Sequence, residues 1–118
     1  MSQGEEMLAF QLKAAGIDYH TEHRFAPPRR WRFDFVIEGP WMTDAPLPNP
    51  RFAVEVDGGS WSGGHRRGVQ ADAECEKFNQ ATMDGWPVFH VTPAMVEDGR
   101  ALQTIERALG RTGWTLTR

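Results

Sequence analysis

At 118 residues, 40% hydrophobic and 25% charged, the chain has the size and composition of one folded domain, residues 1–118, and not of a disordered or fibrous protein. Thirteen lysines and arginines against sixteen aspartates and glutamates leave a net charge of −3, which excludes a globally basic nucleic-acid binder and throws any such role onto local patches. The single cysteine forbids an internal disulfide, and no leader or long apolar run appears, so a cytoplasmic protein without a membrane span is expected.

Residues 5–15 read as a first helix closed by Gly16, with Met7, Leu8, Leu12 and Ala15 on one side. Glu5 borders that apolar face, and its carboxylate either approaches a site beyond the helix or simply favours the positive helix N-terminus. Residues 18–25 read as a first strand. Arg24, Arg29, Arg30 and Arg32 then surround Trp31, behind Pro27 and Pro28. Arginines around an aromatic suit phosphate oxygens, which a guanidinium grips bidentately; the same run also reads as a solvated hairpin turn.

Residues 31–37, WRFDFVI, alternate with a two-residue period that puts Trp31, Phe33, Phe35 and Ile37 on one face and Asp34 on the other. An aspartate inside an otherwise apolar strand is costly unless it is paired or bound to a metal. Residues 38–50 hold four of the eight prolines and form an irregular loop that lets the next strand return antiparallel. That strand, residues 51–57, reads RFAVEVD. Phe52, Val54 and Val56 line one face, while Glu55 and Asp57 end the other as adjacent like charges. A divalent cation is the usual reason for such a pair, and antiparallel pairing would bring Asp34 close to Glu55.

The run from Gly58 to Gly64 leaves the strand end in conformations that other residues avoid. His65, Arg66 and Arg67 follow, within reach of a nucleic-acid backbone or an attacking water, though a loop histidine is as readily inert. Residues 69–84 form a second helix, for which Ala71, Cys75, Phe78 and Thr82 make the expected buried stripe. Gln70, Glu74, Lys77 and Ala81 line a flank that would face the carboxylates; alternatively, Glu74 and Lys77 are an ordinary surface pair. Residues 86–91 are expected as a buried fourth strand reached by a parallel crossover, with His90 structural. Pro93 opens a helical turn, and residues 100–109 make a last helix with Leu102, Ile105 and Leu109 inward.

On these residues the chain resembles the PD-(D/E)XK nucleases, the restriction-endonuclease-like superfamily. It is most similar to the small single-domain branch of very-short-patch-repair-like endonucleases and phage Holliday-junction resolvases. The resemblance spans roughly residues 5–109 and implies an α/β (α+β) fold, a three-layer core in the order α-β-β-β-α-β-α around a mixed sheet of about four strands. It implies Asp34 as first acid, Glu55 as second, the Val56 carbonyl as third ligand of Mg²⁺ or Mn²⁺, and Glu5 as a further ligand from the first helix. Asp57 stands where the superfamily's lysine should, so Lys77 becomes the candidate replacement, with Glu74 and His65 as further catalytic candidates. The implied partner is DNA, in a bacterial or phage-infected cell. Nicking requires only a monomer, whereas junction resolution requires a homodimer.

Three functions follow from this reading. One is a metal-dependent DNA endonuclease. A second is a catalytically degenerate DNA- or protein-binding module, favoured by Asp57 and the negative charge. A third, a metal hydrolase acting on a small substrate, lacks the multi-histidine ligand set usual for such sites.

Overall fold

The structure is a computed structural model that describes residues 1–42, 45, 51–58 and 69–111, with 69 and 70 described as helical backbone only. Helix α1 (Gln3–Ala14) starts where Ser2 Oγ accepts the Glu5 amide at 3.2 Å and stops at Gly16, whose φ of +72° suits a residue without Cβ. Leu8 and Leu12 are fully buried, each adding roughly 1.5–3 kcal/mol to stability. Met7, expected beside them, is 41% exposed and borders the apolar stripe instead.

Among the described residues four strands form one mixed sheet in the order β1 (Asp18–Arg24), β2 (Arg32–Gly39), β3 (Phe52–Val56) and β4 (Val88–Val91). The first two pairings are antiparallel and the last is parallel. A parallel pair needs a long crossover, which α2 (Val69–Met83) supplies. Beyond β4 lie a short helix α3 (Pro93–Glu97), capped by the Thr92 hydroxyl, and α4 (Arg100–Ala108). The mixed α/β architecture and the element order agree with the sequence reading, α3 being the expected turn after Pro93.

Two apolar clusters anchor the sheet. The larger joins α1, α3 and α4 to Phe35, Ile37, Phe52, Val54 and Val56. The smaller joins Ala81 of α2 to Val36, Ala53 and Phe33. Phe33 therefore leaves the cluster that its strand period assigned to it, because it stacks on Phe25 at 4.0 Å. Cys75 and Thr82 are exposed, contrary to the expected buried stripe of α2. The inward side of that helix is instead the flank carrying Glu74, Lys77, Phe78 and Ala81, since Glu55 beneath it offers Lys77 an ionic partner. Strand β4 is an edge strand, only partly buried, and not the covered strand its hydrophobicity suggested. Among the described residues no helix is long and apolar enough to cross a membrane.

Candidate active site

One register row collects titratable residues from every strand. Thr21 and His23 pair with Phe35 and Phe33, so Glu22 between them falls opposite Asp34. Phe35 pairs with Val54, so one step further Asp34 falls opposite Glu55. Glu55 pairs with His90 across the parallel β3–β4 ladder. At about 4.8 Å per strand the row Glu22–Asp34–Glu55–His90 spans about 14 Å.

The backbone ladder between β2 and β3 ends one step short of this row. Beyond the Phe35–Val54 pair, carboxylates take over the hydrogen bonds. The Asp34 amide donates to Glu55 Oε2 at 2.7 Å, and the Val56 amide donates to Asp34 Oδ2 at 2.9 Å. Each acid thus satisfies a buried amide of the other strand, which fixes both side chains tightly. Lys77 reaches down from α2 and donates to Glu55 Oε1 at 2.8 Å, with side-chain exposures of only 12% and 8%. Helix α2, which follows β3 in the chain, therefore places Lys77 against Glu55.

Burial raises the Asp34 carboxyl above its ordinary range, against the lowering effects of the Val56 amide and Lys77. Glu55 is raised first by burial and then by Asp34, with Lys77 again opposing. Glu5 is raised by burial and by Asp34 as well. One carboxylate oxygen each from Glu5, Glu22 and Asp34 lie within 4.8 Å of one another. Glu5 of α1 therefore does stand beside Asp34. Glu22, not expected from the sequence, joins them with a φ of +55°, unusual for a non-glycine residue. Arg32 meets Glu22 at 3.3 Å.

At the other end of the row Asp57 Oδ2 lies 2.9 Å from His90 Nδ1, and His90 packs edge-on against Phe78 of α2. Asp57 is thus engaged by His90, while Lys77 engages Glu55. Glu74 lies on the same half-buried flank as Lys77. The arginines expected to bind phosphate separate into different roles. Arg29 lies over the Trp31 ring at 4.3 Å, Arg24 donates to the Arg29 carbonyl at 3.3 Å, Arg32 holds Glu22, and Arg30 is exposed. His65, Arg66 and Arg67 lie outside the described residues.

Sequence reasoning missed Glu22 and His90. A hairpin folded about Pro28 pairs position 22 with 34, so the symmetry of that turn would have found the first. The second depends on a parallel register that no local pattern encodes. The chain matches no family model, no curated protein and no solved structure.

Proposed function

We propose that the chain is a Mg²⁺- or Mn²⁺-dependent endonuclease of the PD-(D/E)XK type that hydrolyses phosphodiester bonds in DNA. The observation that carries this reading is Lys77, brought from a separate helix to within 2.8 Å of Glu55 in a site whose acids are buried at a cost. Carboxyls raised chiefly by burial, a specific cation partner and further acids close by are frequent marks of a site tuned for chemistry.

The donors are all oxygen, which suits hard divalent cations. Asp34, with Glu5 and Glu22 beside it and with Glu55 and the Val56 carbonyl as the resemblance implies, would hold the ion. A cation bound there supplies positive charge for the phosphate oxygens and an acidified water. Lys77 holds Glu55 in place and offers its ammonium to charge developing on the phosphate, or orients the water. Arg29 and Arg30 contact the DNA backbone. A catalytically silent binding module has one observation in its favour: both Glu55 oxygens are already satisfied within the protein, as in a structural ion pair.

The test is incubation of the protein with linear, nicked, flapped and four-way-junction DNA in Mg²⁺, Mn²⁺ or EDTA. Cleavage should require metal, vanish in Asp34→Ala and Glu55→Ala, and fall roughly 100-fold in Lys77→Ala. Lys77→Arg recovers activity only if the role is electrostatic, because arginine stays protonated. Full cleavage by Asp34→Ala would sink the site; DNA binding without cleavage of any substrate would favour the silent module.

A further inference from the structure

We infer that the turn between β1 and β2, with the end of α2, forms a stacking site for an unpaired nucleobase, so that the DNA recognised carries a base outside the duplex. The inference names a substrate class for the nuclease proposed above and rests on that reading only for cleavage.

A column of flat groups runs here from core to surface. Phe33, fully buried, stacks on Phe25 with centroids 4.0 Å apart and planes 6° apart. Phe25 stacks on half-buried Trp31 at 6.3 Å and 21°, and the exposed Arg29 guanidinium covers Trp31 at 4.3 Å. Trp86 braces the inner end edge-on against Phe33 at 5.1 Å. Phe25, Arg29 and Trp31 also wall an open cavity of about 440 Å³, which Gln80 of α2 and Asp84 just beyond its end line as well. That volume lies within the usual range for small-ligand sites. The wider step of the column is the one that borders it.

The cavity's polar groups suit a base edge. Gln80 Nε2 donates to Asp84 Oδ1 at 3.0 Å, and among the described residues Gln80 Oε1 and Asp84 Oδ2 keep their acceptor capacity. Acceptors pair with the exocyclic amino groups of cytosine or adenine, which thymine lacks. Arg29 and exposed Arg30 beside the cavity supply the charge that phosphates need. A paired base is stacked on both faces and cannot enter; an unpaired one can. Gln80 lies three residues beyond Lys77 and Asp84 seven, about 4.5 and 10 Å along the helix axis. Along the axis, that separates them from Lys77 by one to three stacked-nucleotide steps of about 3.4 Å.

The test uses a duplex carrying one bulged 2-aminopurine and its fully paired counterpart, both in EDTA so that no strand is cut. The protein should quench the bulged probe and bind it about tenfold more tightly than the paired one. Trp31→Ala should erase that preference and leave paired-duplex affinity within about twofold, whereas Arg29→Ala, which also removes a phosphate contact, should erase the preference while weakening both duplexes. Trp31→Phe should retain most of it. With a bulged cytosine or thymine in place of the probe, cytosine should bind several-fold more tightly, and Asp84→Ala should level the two. Equal affinity of the unmodified chain for bulged and paired DNA, or equal weakening of both by Trp31→Ala, overturns the stacking site. In Mn²⁺, cleavage without any bulge preference leaves the nuclease standing and removes the stacking site. A bulge preference without cleavage does the reverse.

Discussion

Replacing Lys77 by alanine tests whether the ion pair under α2 is buried in energy as well as in geometry. At 2.8 Å, two unit charges attract by about 6 kcal/mol at an effective dielectric of 20. Desolvation of both groups offsets part of this, and the variant recovers only the lysine's share, because Glu55 stays buried without its cation. Breaking a buried pair from one side costs about 3–5 kcal/mol. For a chain of this length, a loss of about 3 kcal/mol corresponds to a fall of roughly 12 °C in Tm. The sign of the pH dependence follows from Glu55. Its folded pKa is raised above 4.5, and loss of Lys77 raises it further, so the charged form is disfavoured in the native state. The deficit is therefore largest at pH 7 and shrinks as pH falls through the raised folded value towards 4.5. Urea unfolding of the chain and of Lys77→Ala between pH 7 and pH 4.5 measures it. Lys77→Met with Glu55→Gln should recover most of the loss. A deficit below about 1 kcal/mol at pH 7 is the value of a solvated surface pair and would refute the reasoning. So would a deficit that does not change with pH.

Asp34→Asn should stabilise the metal-free protein at pH 7, since a raised native pKa means that the charged form weakens the fold; thermal unfolding shows it, and Mn²⁺ should then raise Tm only in the unsubstituted chain. In the metal-free protein the carboxyls of Glu5, Asp34 and Glu55 should each titrate above their ordinary values; a carboxyl-resolved NMR titration that finds them at or below those values would contradict the burial argument. Arg29→Ala with Arg30→Ala should lower the slope of log affinity against log salt by about 2, whatever the DNA sequence. Cys75 should react with a thiol reagent in the native protein at close to the rate of a free thiol, which a core cysteine would not.

The alternating strands at Phe35–Ile37 and Phe52–Val56 were legible because burial on one face imposes a period of two, and with them the meeting of Asp34 and Glu55. The approach of Lys77 to Glu55 was legible from helical spacing, since the flank it shares with Glu74 and Ala81 can only face the sheet or water. That same spacing placed Cys75 and Thr82 inward, and failed because a helix in which Ala81 is the one fully buried side chain among the described residues carries almost no apolar signal to orient it. Its orientation is set by the charge on Glu55, a tertiary contact. Edge or centre position for β4 depends on strand order, which hydrophobicity does not encode. Glu22 faces solvent on an edge strand and looks like any surface acid until the register is known.

The carboxylates that replace the ladder beyond Phe35 and Val54 give the site a built-in reporter. The amides of Asp34 and Val56 are protected from water only while the Glu55 and Asp34 side chains stay on them. Any occupant that turns a carboxylate oxygen away exposes one amide, and any occupant that holds both acids still protects both. Proton–deuteron exchange at two backbone positions therefore reads the state of the site directly, without cleavage and without a label. The last two amides of the seam between β2 and β3 are thus as much part of the site as the acids that cover them.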